Sequence, residues 1–547
     1  MALAIVHSRA LVGSGAPAVT VEVHLANGLP SLQIVGLPDA EVRESRERVR
    51  AALQQAGFHF PTRRITVNLA PADLPKRSGR LDLPIALGIL VASDQLPADA
   101  LTKLECVGEL SLSGELRAGG RGALAIALAN RRDPAGRALL LPHHDADEAR
   151  LAQTVLGRVD PLGASNTPTA GPPAPIVGLG SLIDAARFLR GEFSASSTPG
   201  PATSPWPPNA PNAPYAPYAP GLAGIGAATD PLMPEDGDLA DVRGQCAAKR
   251  ALEIAAAGGH ALLLSGPPGA GKSMLAHRLA SILPPMTDGE ALESAALASL
   301  AGAFDPRRFG RRPVRSPHHS ATMAALIGGG PDPRPGEISL AHHGLLFLDE
   351  LLEWRPTTLD ALREPLETGS VQIARAGRRA QFPARFQLIA ATNPCPCGFL
   401  GTPRCACASD RIQRYRARLS APLLDRIDLC VNVAAQAPAA LLAARTGESS
   451  GSVRGRVTRA RQRQAHRQTV PNAWLSPTAL DQHCHTSDEA RALLAQSATR
   501  LGLSGRGVHR VLRVARSIAD LAERDRLEFE HVAEAIALRI PTPASGA

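Results

Sequence analysis

The sequence lacks any charge-free apolar run long enough to cross a bilayer. Leu83 to Ser93 and Leu429 to Ala444 are such runs, and both fall short of the roughly 20 residues a spanning helix needs. No basic segment leads into a long apolar stretch at the N-terminus, so a secretory signal is not expected and the expected location is the cytoplasm, with no membrane partner. Lysine is nearly missing: Lys76, Lys103, Lys249 and Lys272 are the four present, although Lys and Arg together number 59. The formal charge of +9 therefore rests on arginine. In so alanine-rich a chain, that excess reads as a compositional bias as readily as a polyanion-binding surface. Short-period repeats are absent. Eight cysteines in a long chain expected in a reducing compartment exclude a disulfide scaffold, yet four of them crowd between Cys395 and Cys407.

A length of 547 residues exceeds what one hydrophobic core supports and predicts two to four domains. In residues 1–193, Val19 to His24 and Arg64 to Leu69 alternate with period two and predict strands. Asp39 to Gln55 predicts an amphipathic helix burying Val42, Val49, Ala52 and Leu53, and Pro84 to Ala92 a buried helix. Residues 194–237 are dense in proline and alanine and predict a disordered, semi-extended linker. Residues 238–435 read as a second α/β domain. Residues 436–547 read as helical, with helices over Asp488 to Ala498, Gly507 to Arg524 and Glu528 to Leu538.

Gly266, Pro267, Pro268, Gly269, Ala270, Gly271, Lys272 and Ser273 fit G-x-x-x-x-G-K-[ST]. An apolar strand pattern precedes them and a helical one follows, as a P-loop requires. Glycines let backbone N–H groups wrap the phosphates of ATP, Lys272 meets the β and γ oxygens, and Ser273 reaches Mg²⁺. Downstream, Leu345 to Leu348 is an apolar strand ending in Asp349 and Glu350. This is a Walker B pattern: Asp349 to hold Mg²⁺ and Glu350 to polarise the attacking water. Phe386 to Thr392 is a further strand, ending in Asn393, which suits a sensor of the γ-phosphate or its water. Arg426 lies before another strand, where it serves either as an arginine finger toward a neighbouring subunit's ATP or as a structural partner of Asp425 or Asp428.

Two further features bear on ligands. Cys395, Cys397, Cys405 and Cys407 form two C-x-C pairs seven residues apart, with Gly398, Gly401 and Pro403 to turn the loop. They offer four thiolates to Zn²⁺, or form a redox-labile loop. Val371 to Arg375 and Ala380 to Phe382 flank Ala376 to Arg379 as a hairpin, with Arg375, Arg378 and Arg379 at its tip. These arginines are DNA-contact candidates or merely a solvated turn.

These motifs, with Asp241 to Gln245, Arg250 to His260, Arg315 to Ser320, Leu326 to Gly330, Pro335 to His342 and Asn393 to Gly398, resemble the YifB/ComM family of Mg-chelatase-like AAA+ ATPases. The resemblance extends to the N-terminal third through Gly36 to Asp39, Asp82 to Ala86 and Gly108 to Leu112, and omits the proline-rich linker. Small departures are Ser273 where threonine is common and Ala261 where asparagine is common. The resemblance implies an α/β multidomain chain: an N-terminal ribosomal-S5/Lon-protease-like domain, a P-loop AAA+ αβα core and a C-terminal helical lid. It also implies a sensor-2 arginine in the lid, Arg506 with Arg510 as the alternate, and a hairpin that lines a ring pore. The Lon-like chemistry needs a serine and a lysine. Leu81 stands at the position aligned with the serine, no lysine lies between Gly108 and Asn130, and Ser78 would serve only in a shifted alignment.

Two functions follow from the resemblance. One is a homo-oligomeric, hexameric motor on single-stranded or branched DNA, a branch-migration helicase of DNA uptake and recombination. The other is a chelatase-type motor acting on a protein or porphyrin-metallation partner. The N-terminal S5-like domain and the lack of an integrin-like D-x-S-x-S site favour the first.

Overall fold

Period-two alternation along Ala18–Ala26 puts Val19, Val21, Val23 and Leu25 on one buried face of a strand. In the computed structural model, which describes residues 3–37, 39–74, 76, 79–159, 175–192, 237–330, 333–375, 378–436 and 447–539, this strand sits inside a seven-stranded sheet. The sheet order is Ser31–Val35, Arg64–Ala70, Ala18–Ala26, Leu3–Arg9, Leu104–Cys106, Ala138–Pro142, Ile176–Leu179. Leu3–Arg9 and Arg64–Ala70 pair antiparallel with Ala18–Ala26, and the other pairings are parallel. Helix Ala40–Gln55 starts where the Asp39 carboxylate accepts the Val42 N–H at 3.0 Å, and it buries Val42, Val49, Ala52 and Leu53 as its spacing predicts. Helix Asp82–Ala92 is buried along its whole length. Asp82 at its start accepts two bonds from Arg48 (2.8 and 3.2 Å) and one from the Leu110 N–H (3.2 Å). Leu81, where a Lon-like nucleophile would stand, is a buried aliphatic side chain, and Ser78 lies outside the described residues.

The chain divides into two compact units, Met1–Thr229 with Ala295–Arg307, and Asp230–Ser294 with Arg308–Ala547. The proline-rich stretch lies outside the described residues.

The second unit is built on a parallel five-stranded sheet in the order Val314–Arg315, Leu345–Leu348, Gln387–Thr392, Leu262–Ser265, Leu429–Asn432. Leu345–Leu348 and Gln387–Thr392 are buried on both faces, which is why they read as continuous apolar runs. Helices Ser450–Arg467, Pro477–His483, Asp488–Leu501, Gly505–Leu521 and Phe529–Arg539 follow. The long amphipathic helix begins at Gly505 because the Ser504 hydroxyl accepts the Gly507 N–H. No helix among the described residues is long and apolar enough to cross a membrane.

A buried polar cluster ties these helices to the sheet. Asp428 accepts from Arg510 at 2.6 Å and faces His260 Nδ1 at 3.1 Å, while His260 Nε2 lies 2.7 Å from Ser517 Oγ. Burial opposes the Asp428 charge, but His260 and Arg510 outweigh it and hold its carboxyl well below the usual range. Such a group adds stability above its unfolded pKa of about 4, and that contribution is lost as pH falls through the folded value. Asp428→Ala should therefore cost about 3–5 kcal/mol at neutral pH, because the partly buried Arg510 loses its carboxylate and the buried His260 its partner on Nδ1. In urea unfolding followed through tryptophan fluorescence, the gap between native and variant should narrow below pH 4. An equal gap at pH 7 and pH 3 would refute the assignment.

Candidate nucleotide site

Parallel strands point their carboxyl ends the same way, and ligands of such sheets bind outside those ends. Here three adjacent strands end in Ser265, Leu348 and Thr392, so the residues that follow, Gly266, Asp349 and Asn393, emerge side by side. Gly266 is pressed onto the next strand: a Cβ there would lie 2.2 Å from the Val433 carbonyl oxygen. Gly271, at φ +86°, turns the loop into helix Lys272–Ile282, a conformation that favours glycine. The first N–H groups of that helix thus open toward the mouth of the loop, ready for an anion.

The side chains converge. Lys272 Nζ donates to the carbonyls of Gly266 (2.7 Å) and Pro267 (3.0 Å) and to Asn393 Oδ1 (3.0 Å). Burial pushes the Lys272 ammonium below its ordinary pKa, with Asp349 and Glu350 opposing the shift. Ser273 Oγ donates to Asp349 Oδ2 at 2.7 Å, so the two predicted Mg²⁺ ligands already touch. The donor set, a hydroxyl and a carboxylate, suits a hard cation that keeps several waters and bridges phosphate oxygens. The Asn393 carbonyl faces Lys272, which leaves its two amide N–H groups as donors for a phosphate or water.

Glu350 sits at φ +50°, an uncommon conformation for a residue with a Cβ. The turn is fixed by the Glu350 N–H on Asp349 Oδ1 (2.8 Å) and by Trp354 Nε1, which donates to the Asp349 carbonyl (3.1 Å). The carboxylate is about half exposed and pairs with His319 Nδ1 at 3.2 Å. Sequence reasoning gave His319 no role beyond its place in the Arg315 to Ser320 motif. Its partner is 31 positions away, on the loop after a neighbouring strand.

Arg426 and Arg506 meet elsewhere, on one carboxylate. Arg426 pairs with Glu367 and donates to the Pro422 carbonyl at 2.7 Å, while Arg506 lies 3.5 Å from the other Glu367 oxygen. Asp425 is taken by Arg539 and Asp428 by Arg510, so Arg426 pairs with neither of the carboxylates its sequence context offers. Arg426, held this way, pulls the Glu367 carboxyl below its usual range.

The hairpin is present as Ser370–Arg375 paired with Arg378–Pro383, in the register Arg375 opposite Arg378 and Ala374 opposite Arg379. Val371, Ile373, Ala380 and Phe382 fill its buried face, and Arg379 is exposed on the other. The side chains of Arg375 and Arg378, and the turn between them, lie outside the described residues. The four cysteines come together: Cys395 Sγ is 3.3 Å from Cys397 Sγ and 3.9 Å from Cys405 Sγ, Cys397 and Cys405 are 3.7 Å apart, and Cys407 belongs to the same cluster. A second cluster, Glu293, His342 and His343, has a different character. His342 Nδ1 accepts the Arg385 N–H at 3.0 Å, so the neutral ring carries its proton on Nε2 and donates it to Glu293, which makes it a poor metal ligand.

The sequence matches family models described as magnesium chelatase subunit ChlI over residues 238–441, subunit ChlI of Mg-chelatase over 21–145, and the ChlI C-terminal region over 447–539. It is 44% identical to competence protein ComM of Haemophilus influenzae over 541 residues, 98% of each chain. It is 43% identical to protein YifB of Escherichia coli over 546 residues, 98% of this chain and 97% of that one. A Mycobacterium tuberculosis protein is 39% identical over 546 residues, 98% of this chain and 99% of its own.

Proposed function

The chain belongs to the YifB/ComM family of magnesium-chelatase-like AAA+ ATPases, and from that premise we propose that it is a hexameric ring motor that hydrolyses ATP to move along DNA, driving branch migration during uptake and recombination. The observation that carries the reading is the convergence of Lys272, Ser273, Asp349 and Asn393 at the carboxyl edge of one parallel sheet. ATP lies with its phosphates in the loop from Gly266 to Ser273. Ser273 and Asp349 would hold Mg²⁺, which would neutralise charge on the phosphates, and Glu350 orients the attacking water. Asn393 reads the γ-phosphate. Arg426 reaches the ATP of the adjacent subunit, and Arg506, on the same carboxylate, acts with it. The loop from Cys395 to Cys407 holds a structural Zn²⁺. The N-terminal unit is an S5/Lon-like domain without protease chemistry, since Leu81 offers no nucleophile.

DNA is favoured over a porphyrin because the hairpin between Walker B and the sensor strand offers an exposed arginine at its end, Arg379. The rival basic surface, Arg454 to Arg463 on helix Ser450–Arg467, is largely neutralised. Arg456 pairs with Glu253 (2.6 Å), Arg459 with Glu523 (3.4 Å) and Arg463 with Asp525, while Arg461 bonds the Ala256 carbonyl. The test is ATP turnover with single-stranded, duplex and branched DNA, or a porphyrin, across a salt series. Stimulation by porphyrin and not by DNA would replace the reading with a chelatase-type motor. Changing Arg375, Arg378 and Arg379 together to alanine should spare basal turnover and lower the salt slope of DNA binding by about 0.7–0.9 for each phosphate that is no longer neutralised. Binding should weaken alike for every sequence, because phosphate contacts carry no base information. An unchanged slope would move the DNA contact away from the hairpin.

A further inference from the structure

The four cysteines stand in an informative place. Asn393 is followed by Pro394 and then Cys395, so the sensor residue is two positions from the first thiol. Past Cys397 the chain turns at Gly398, φ +82°, against the second proline of the P-loop: a Cβ on Gly398 would lie 2.4 Å from Pro268 Cδ and 2.7 Å from Pro268 Cγ. The Gly398 N–H closes this turn on the Cys395 carbonyl at 2.9 Å, and the Cys405 N–H closes the return turn on Thr402 at 3.1 Å. One short loop therefore joins the sensor residue, the thiol cluster and the P-loop.

The sulfur spacings fit a tetrahedral metal site. Tetrahedral Zn²⁺ with Zn–S bonds of about 2.3 Å sets its sulfurs about 3.8 Å apart. The separations of 3.3, 3.7 and 3.9 Å bracket that edge length, and the fourth thiol completes the set. A disulfide would bring one pair to about 2.0 Å, which none of these separations approaches.

We propose that this loop is a zinc centre that fixes the positions of Pro268 and Asn393, so that the affinity of the nucleotide site depends on metal occupancy. The inference rests on reading Gly266 to Ser273 as the ATP loop and Cys395 to Cys407 as a metal site. With zinc bound, four Zn–S bonds would hold the thirteen residues from Cys395 to Cys407, whose Phe399 and Leu400 are only partly buried, and Gly398 presses on the P-loop from a fixed place. Without zinc the thiols separate, Gly398 withdraws, and both the loop over the phosphates and the amide of Asn393 lose their support. Loss or exchange of the metal would thereby regulate ATP binding from outside the phosphate site. The ligand class is a thiophilic divalent cation, in contrast to the hard Mg²⁺ expected at Ser273 and Asp349.

The experiment uses the full chain. Metal content is measured on protein purified without chelator, and binding of a fluorescent ATP analogue is measured before and after zinc removal by a chelator that leaves Mg²⁺ in place. The expected result is about one zinc per chain, a loss of nucleotide affinity of about tenfold or more on removal, and recovery on adding zinc back. The Cys395→Ser, Cys405→Ser double variant should be metal-free, bind the analogue as weakly as the stripped protein, and gain nothing from added zinc. Circular dichroism checks that the variant is folded, and the chelation arm answers the question in native protein if it is not. Native protein without zinc would overturn the proposal at the metal. Bound zinc with affinity unchanged by its removal would overturn the coupling and leave the metal site standing. Bound zinc with no nucleotide binding at all would overturn the ATP reading on which the inference rests.

Discussion

Glu350→Gln is expected to retain ATP and lose turnover by about 10²–10⁴, the range a positioned acid–base group contributes. The change keeps the side chain's size and its place in the turn, since that turn is held by Asp349 and Trp354 and not by the Glu350 carboxylate. It removes the charge proposed to polarise water and, with it, the ion pair to His319. Lys272→Ala should behave oppositely. Its ammonium makes three bonds at the mouth of the loop, and each charge-assisted bond it exchanges for a phosphate bond is worth about 1.5–3 kcal/mol. ATP binding should fall by about tenfold to a hundredfold or more, and turnover with it. Equilibrium nucleotide binding set beside single-turnover hydrolysis separates the two variants. Normal turnover by Glu350→Gln would remove the Walker B assignment. His319→Ala offers a finer check: it frees Glu350 from its 3.2 Å partner, and it should lower turnover more than ATP affinity.

How far each feature is legible in the sequence follows the range over which it is built. Gly266 to Ser273 is a local device, and a strand pattern before it and a helix pattern after it are enough to place it. The same holds for Leu345 to Glu350, for the strand ending at Thr392, and for the hairpin, whose buried pairs Val371–Phe382 and Ile373–Ala380 are two ends of one alternating pattern. The cysteines are legible as a cluster because the thirteen residues from Cys395 to Cys407 cannot carry them far apart. Contacts between distant segments leave no such mark. Glu350 with His319, Glu367 with both Arg426 and Arg506, and Asp428 with His260 and Arg510 each depend on which strands are neighbours and on how the C-terminal helices pack. In a chain with arginine in every region, charge pattern cannot select Glu367 as the carboxylate that Arg426 meets. Nor does helical periodicity reveal that Ala295–Arg307 clusters with the first unit.

Rings that mix Arg426→Ala subunits with Glu350→Gln subunits are expected to hydrolyse ATP although neither variant does so alone. Removing an arginine finger costs about 10³–10⁵ in rate, so each pure ring should be nearly silent. The reasoning is geometric. Arg426 is anchored on Glu367 and Pro422, and none of its bonds is to Lys272, Ser273, Asp349 or Asn393 of its own chain. In a ring with head-to-tail interfaces, each nucleotide site faces the neighbour's opposite surface. An Arg426→Ala subunit keeps an intact Glu350, and a Glu350→Gln neighbour keeps an intact Arg426, so one of the two heterotypic interfaces is complete. Random mixing at equal amounts makes about a quarter of the interfaces active, and the activity should follow the product of the two fractions. Arg506 sharpens the test, because it shares Glu367 with Arg426 and should complement from the same side. Mixing Arg506→Ala with Glu350→Gln should then restore activity in the same pattern, whereas mixing Arg506→Ala with Arg426→Ala should restore none at interfaces that lack one arginine or the other. Activity that merely sums the two pure rings would show that Arg426 serves its own chain and that the pair on Glu367 is structural.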